Sequence, residues 1–470
     1  MTLMHSSPDN AGPARPDKPA TSPYVLLFCV LMVAALATWV LPAGEFDRVV
    51  RDGVKFVVPH SLHAVPQHGI GPAGMLMAIS KSVTDTAAVI FLIMFTGGTF
   101  SVLEKTGAVQ TAVARLGARS GGNNLVGVGA ICIVFSVLGT MGAVSNAVVA
   151  FVPLGMLIAR SMRLPAEFGV GLIYLGTYAG FNAAVMNPTT TGVSQRLAEL
   201  PIFSGLAFRA AVFVLFVAAA VLFLIRVAVR QRDSGEAPRP GIASPADESA
   251  TPDAPTRRQW LVLALTGGGL AVFIYGAARL GWGESEMMAT FVAIAIGAGF
   301  ACRLAPSALA NAFIAGCGQL ASGALIVGLA RAISTVLANG HILDPLVNAL
   351  ADLLAPLHPM AAVIGMFFSS AAIHVAISSG SGESAALIPI FAPLGDALHL
   401  TRQVTVQTVL LGEGIMNCIN PTSGVLMAVL VTARIPFGRW VKFVAPLTLA
   451  WLVISIASLL VAVAIHLGPF

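Results

Sequence analysis

Charge is scarce in this chain of 470 residues: Asp, Glu, Lys and Arg make up 10% of it, against 57% hydrophobic residues. A soluble globular domain carries about 25% charged residues, so a normal water-facing surface is excluded, and the mean hydropathy of +0.87 points to a polytopic membrane protein. Cysteine is also sparse. Cys29, Cys132, Cys302, Cys317 and Cys418 lie singly in apolar segments. Without ligand spacing they read as small packing residues rather than as a disulfide framework or a metal site. No Walker loop, HExxH, paired CxxC or GxSxG occurs, so ATP hydrolysis and the familiar hydrolase chemistries have no support. Neither an enzyme nor a resident cofactor or metal is expected.

Basic residues are few, and their placement matters more than the net charge of +5. Arg226, Arg230, Arg232, Arg239, Arg257 and Arg258 flank one break between apolar halves, and Arg15 and Lys18 precede the first apolar run. Cytoplasmic loops of membrane proteins carry such an excess. This distribution argues against a nucleic-acid partner, and places the N-terminal tail (1–23) and the linker at 231–256 in the cytoplasm, with the chain in a bacterial inner membrane. The C-terminal HLGPF lacks Lys and Arg and favours the opposite face. The run Tyr24–Leu41 shows no cleavage pattern and reads as a retained anchor.

Residues 231–256 are rich in Pro, Ser and Asp with no apolar run, the composition of a flexible linker. They separate a first membrane half, 24–230, from a second, 257–470. The first half reads as an anchor near 24–42, a mixed-charge loop (43–72), a span near 85–104, a hairpin near 124–162, a broken segment over 165–200 and a span at 207–229. The second reads as spans near 259–278, 287–302, 321–338 and 357–373, a hairpin near 374–397, a broken segment at 403–433 and a last span. Two short segments, Val109–Arg119 and Pro306–Gly316, read either as interfacial pieces or as ordinary loops.

One pattern occurs twice. MGAVSNAVVAFVPLG (141–155) is followed by AAVMNPTTTG (183–192), and SSGSGESAALIPIFAPLG (378–395) by NCINPTSG (417–424). Irregular backbone at membrane depth is tolerated only where it is buried in protein or lines a water-filled cavity. Paired breaks in corresponding halves mark a transporter's central site, commonly in inverted repeats. The expected fold is therefore an all-α polytopic membrane protein with inverted structural repeats, two re-entrant helical hairpins and broken transmembrane helices.

At the first tip, Gly142, Ser145 and Asn146 interrupt apolar sequence. The second half-helix would point its unpaired N–H groups inward, so a substrate carboxylate finds those amides, the Ser145 hydroxyl and the Asn146 amide; small-residue helix packing is the plainer reading. The second tip, Ser378-Ser379-Gly380-Ser381-Gly382-Glu383, is made of poor helix formers and predicts a non-helical turn. Glu383 then binds a cation, accepts a proton, pairs with a substrate amine, or merely caps the half-helix. In the two Asn-Pro-Thr breaks proline frees carbonyls one turn back. With Asn187, Thr189, Asn420, Thr422 and Ser423 these form an oxygen-rich shell suited to Na⁺, or else a simple kink. The substrate candidates are thus Ser145, Asn146, Asn187, Thr189, Ser379, Gly380, Ser381, Gly382, Glu383, Asn420, Thr422 and Ser423. Asn187, Asn420, Glu383, Glu413 and His374 are the candidates for the coupling ion or proton, His374 because an imidazole titrates near neutrality. Arg331 either faces an acid such as Glu383 or Glu413, attracts an anionic solute, or makes a structural ion pair.

The chain resembles the YfcC-like branch of the anaerobic C4-dicarboxylate carrier family, in the ion transporter superfamily. The resemblance runs from TSPYVLLFCVLMVAALATWVLPAGEFDRV through TGGTFSVLEKTGA and VGLARAISTVLANGHILD to SGSGESAALIPIFAPLGD, LGEGIMNCINPTSGVL and IPFGRWVKFVAPL. It implies inverted repeats, re-entrant hairpins, a homodimer and elevator-type secondary transport. By position it makes Ser145-Asn146 and Ser379–Glu383 the tips, and Asn187-Pro188-Thr189 and Asn420-Pro421-Thr422 the clefts. The chain departs from the resemblance in charge at the tips: relatives carry an acidic pair at Ser145-Asn146 and a Gln at Glu383. The expected function is secondary active transport of small carboxylate-bearing solutes, organic acids or amino acids, coupled to Na⁺ or H⁺. Basic amino acid exchange of an arginine/ornithine type is the alternative, ahead of a passive channel or an intramembrane enzyme.

Overall fold

The computed structural model describes residues 23–51, 54–58, 61–108, 111, 125–142, 144, 147–233, 256–280 and 282–468. The N-terminal tail, nearly all of the linker, most of Val109–Arg119, and the tip residues Ser145 and Asn146 lie outside that set.

The first half contains α1 (Pro23–Val40), α2 (Pro72–Asp85), α3 (Ala87–Thr106), α4 (Leu125–Thr140), a 3₁₀ turn (Ala147–Phe151) running into α5 (Val152–Ser161), α6 (Ala166–Asn182), α7 (Thr191–Leu197) and α8 (Leu206–Asp233). The second contains α9 (Arg257–Arg279), α10 (Glu284–Ala301), α11 (Pro306–Asn339), α12 (Leu343–Leu354), α13 (Pro359–Ala376), α14 (Gly380–Ala397), α15 (Arg402–Met416), α16 (Gly424–Thr432) and α17 (Phe437–Ala464). Between α1 and α2 two short antiparallel ribbons pair Gly44–Glu45 with His63–Ala64, and Arg48–Arg51 with Val54–Val57. Among the described residues, seven helices (α1, α3, α8, α10, α11, α13 and α17) are long and apolar enough to cross a membrane. Their outward faces stay apolar: Val214, Leu215 and Leu222 of α8 and Leu449, Val453 and Val461 of α17 are exposed. Hydrocarbon, not water, suits such faces. The chain is an all-α polytopic membrane protein.

Three expectations need correction. Pro306–Gly316 is no separate segment; it forms the first turns of the 34-residue α11. Its small residues let α3 approach: a Cβ on Gly97 would lie 2.6 Å from the Gly316 carbonyl oxygen. Second, the span near 357–373 is itself the first arm of the second hairpin, α13, and the turn to α14 is only residues 377–379. Gly380, Ser381 and Gly382 are already helical, with the Glu383 amide donating to the Ser379 carbonyl at 2.8 Å. Poor propensity costs each residue a kilocalorie per mole or less, and burial against neighbouring helices outweighs that. Third, the stretch between the mixed-charge loop and the span near 85–104 is itself a helix, α2. It starts with Pro72 at its first turn after an extended Gly71, and of its residues only Met75, Ala78 and Ser82 are buried.

Two helix groups meet in the molecule. In one, α1, α2 and α3 pack around α11, with α10 against α3. In the other, α4 and α5 both pack on α6, while α13 and α14 both pack on α15. Helices α6 and α15 each stop at a break containing Asn-Pro, at residues 183–190 and 417–423, before α7 and α16 resume. The groups join chiefly where α16 lies on α11. On the surface Arg402, at the start of α15, bridges Glu199 just after α7 and Asp396 near the end of α14, at 2.7 and 2.9 Å.

The tightest crossing is that of α4 and α6. Ser136 Oγ donates to the Gly176 carbonyl at 2.8 Å, and a Cβ on Gly180 would overlap the Ser136 carbonyl oxygen, which is backbone and cannot swing away. Gly180→Val should therefore lower stability by at least about 1–3 kcal/mol, the usual cost of overpacking, read as a lower thermal unfolding midpoint in detergent. An unchanged midpoint would show that these helices do not pack this closely.

Candidate functional site

A cavity of about 410 Å³ lies where the two helix groups meet. Its wall takes Gly142 from the first tip, Thr189 and Thr190 from the first break, and Ser378–Ser381 from the second tip. Glu413, Asn417 and Ser423 come from α15 and the second break, Tyr178 and Phe181 from the end of α6, and Arg331 from α11. Segments far apart in sequence thus converge on one space. Of the residues expected to bind solute, Thr189, Ser379, Gly380, Ser381 and Ser423 line it, and so do His374 and Glu413. Asn187, Asn420, Thr422 and Glu383 are buried behind the wall, and Gly382 is in the first turn of α14.

The two breaks fold alike. Asn187 Oδ1 accepts from the Thr189 amide at 2.9 Å and the Thr189 hydroxyl at 2.8 Å. Asn420 Oδ1 accepts from the Thr422 amide at 2.9 Å and lies 2.7 Å from the Thr422 hydroxyl. An Asn side chain that closes its own turn replaces the backbone bonds that proline removed. The second break is also tied to the hairpin, because Asn420 Nδ2 donates to the His374 carbonyl at 3.0 Å and Ser378 Oγ to the Thr422 carbonyl at 3.1 Å. Asn187 Oδ1 sits beside the first tip, 2.8 Å from where a Cβ on Gly142 would be. Gly142 has φ of +73°, a conformation that glycine adopts without steric cost. The Asn187 and Asn420 Oδ1 atoms, expected in the oxygen-rich shell, thus each already accept two hydrogen bonds.

Behind the second tip is a buried ionisable cluster. His374, in the last turn of α13, places Nδ1 2.6 Å from Glu383 Oε2 in the first turn of α14, with 2% and 0% side-chain exposure. Ser370, one turn before His374 on the same helix face, donates to Glu383 Oε1. The carboxylate is turned sideways onto α13 and does not cap α14; no side chain caps that helix. The carboxylate's hydrogen bonds run to Ser370 and His374 of α13 and not to the amides of α14. Its bonds instead pin the two arms of the hairpin together.

Glu413 completes the cluster. A Cβ on Gly380 would collide with Glu413 Oε1, so the carboxyl group lies against the N-terminus of α14, where the unpaired amides and the helix dipole favour negative charge. Its Oε2 is buried without a hydrogen-bond partner. Sequence reasoning missed the roles of Ser370, Asn417 and Tyr178. Asn417 Nδ2 donates to Asn182 Oδ1 at 3.2 Å, and Tyr174 donates to the Asn417 carbonyl at 2.8 Å while stacking on Tyr178 at 4.3 Å between ring centroids. The four-residue spacing of Ser370 and His374 on an apolar helix was the available signal for the first of these.

Glu383→Gln keeps the shape of the side chain but removes a charge-assisted bond. It should lower stability by about 1.5–3 kcal/mol, more than the 0.3–1 kcal/mol typical of a helix-end charge, and its effect should not add to that of His374→Gln. Chemical unfolding of both single variants and the double variant in detergent measures this; additive effects would break the pairing.

The sequence matches the C4-dicarboxylate anaerobic carrier (DcuC) family over residues 21–464. It is 29% identical to YfcC of Escherichia coli K12, whose name gives basic amino acid antiport provisionally, over 90% of this chain and 92% of that protein. It is 24% identical to an uncharacterized Haemophilus influenzae protein over 95% of this chain and 97% of that protein. The crystal structure of the Alcanivorax borkumensis YdaH transporter aligns with a TM-score of 0.44 at 17% identity, covering 96% of this chain and 100% of that one. This chain is a membrane protein that belongs to the C4-dicarboxylate anaerobic carrier family.

Proposed function

We propose that the chain is a secondary active transporter of small carboxylate-bearing solutes, coupled to protons and working by elevator-type alternating access. The observation that carries this reading is the buried His374–Glu383 pair with Glu413 beside it, set between two broken helices at the wall of a polar cavity. Ionisable groups at membrane depth are retained for function. Of the two coupling ions the sequence admits, H⁺ fits better than Na⁺: the Asn187 and Asn420 oxygens are engaged by Thr189 and Thr422, while Glu413 keeps one oxygen unpaired. The helix–turn–helix pairs α4–α5 and α13–α14 are read as re-entrant hairpins of inverted repeats. The group that holds them is read as the moving element, and the group around α11 as the fixed one. The N-terminal tail and linker are placed in the cytoplasm, in the inner membrane, and the protein is taken as a homodimer.

Amino acid exchange is the second reading. The unpaired Glu413 oxygen favours it, since it offers a substrate amine an acceptor, and the name of the Escherichia coli relative points the same way.

Counterflow in proteoliposomes tests the class. A carrier exchanges labelled for unlabelled solute, a channel only equilibrates it, and an enzyme alters it. Glu413→Gln should retain counterflow at near wild-type rate and lose accumulation driven by a pH gradient. A Gln variant that still accumulates solute, or wild-type accumulation that follows a Na⁺ gradient alone, would contradict proton coupling.

A further inference from the structure

The cavity contains one cation with no protein partner. Arg331 is exposed on α11 at the cavity wall, and among the described residues its guanidinium makes no ion pair or hydrogen bond, although Asp85, Glu284 and Glu413 line the same space. A charged side chain within a membrane protein is costly unless it faces water and serves a ligand. Its neighbours Ala330, Ala332 and Ile333 are buried, so the helix presents Arg331 as an isolated polar group on the cavity side.

Two groups near the cavity are already engaged. The N-terminus of α14 already has the Glu413 carboxyl group against Gly380, and at the first tip, where the sequence places a solute carboxylate, Ser145 and Asn146 lie outside the described residues. His374 is committed to Glu383. A free guanidinium, by contrast, offers paired N–H donors in the geometry of a carboxylate.

We propose that Arg331 is the residue that recognises the solute's carboxylate, bonding it by two parallel N–H···O contacts from α11 while the hydroxyl groups of Ser379 and Ser381 face it from the second tip. This deepens the transporter reading and rests on it. The solute then bridges the two helix groups, which makes Arg331 a determinant of specificity for carboxylates over neutral or purely cationic compounds.

The test is a binding cycle that removes the carboxylate from the ligand and the charge from the protein. Two probe pairs are used with the full chain in detergent, by calorimetric titration: succinate with succinamide, and L-lysine with cadaverine. Wild type should bind the carboxylate member of at least one pair roughly tenfold or more tightly than its carboxylate-free partner, the worth of a charge-assisted bond. R331Q should lose that difference while its affinity for the carboxylate-free member stays unchanged, and R331K should recover part of it. An R331Q protein that keeps the full discrimination overturns the proposal, and so does one that weakens both members equally, which is the mark of a structural role. If R331Q does not fold, R331K and R331M decide by the same comparison. Wild type that binds neither carboxylate removes the inference too. Counterflow by the wild type separates that outcome from failure of the transporter reading, because counterflow does not depend on Arg331 being the anchor.

Discussion

Inside a bilayer a polar backbone group has no water to turn to, and each one left unpaired costs several kcal/mol. The architecture follows from that constraint. A helix can break at Pro188 or Pro421 only if something else takes up the freed groups, and here an Asn side chain closes each turn onto the following Thr. The break at residues 417–423 is further bonded to the last turn of α13. Asn187 and Asn420 are at 0% exposure, while Thr189 of the first break faces the cavity.

The same economy governs charge. A buried ion pair adds little to stability compared with an apolar pair, but removing one partner leaves a charge that is costly to bury. Glu383 and His374 therefore hold each other in place, and their position on opposite arms makes the hairpin turn dependent on the pair. Glu413 is placed differently, with its carboxyl group against Gly380 and one oxygen unengaged. That difference separates a group that maintains the shape of the tip from one able to change partner or proton.

Much of this was legible in the sequence. Composition alone announces the membrane protein, and the two Asn-Pro-Thr motifs after Pro-Leu-Gly exits locate both breaks to within a few residues. Some residues at the cavity wall, such as Thr189, Ser379 and Glu413, were among those expected, whereas Asp85, Tyr178, Phe181 and Glu284 were marked by no motif. What was not legible depended on three-dimensional neighbours. Gly380-Ser381-Gly382 reads as a turn because propensity acts locally, whereas packing draws those residues into α14. Glu383 reads as a possible cap because sequence shows its place in a helix and not the imidazole across the turn. The oxygens of Asn187 and Asn420 read as ligands because a list of residues does not show that a Thr two positions on already occupies them. Arg331 reads as a partner for an acid such as Glu383 or Glu413, as an attractor of an anionic solute or as part of a structural ion pair, and among the described residues its guanidinium makes no ion pair.

If the space between the breaks is a carrier site, it must open to each side of the membrane in turn and never to both. Ser379, at the second tip and on the cavity wall, is the position to probe. The measurement is the labelling of Ser379→Cys by a membrane-impermeant thiol reagent applied separately to right-side-out and inside-out vesicles, in a background lacking the five native cysteines. Alternating access predicts labelling from both faces, suppressed on both by a solute that supports counterflow. Labelling confined to one face under every condition, or labelling that no transported solute suppresses, would contradict it.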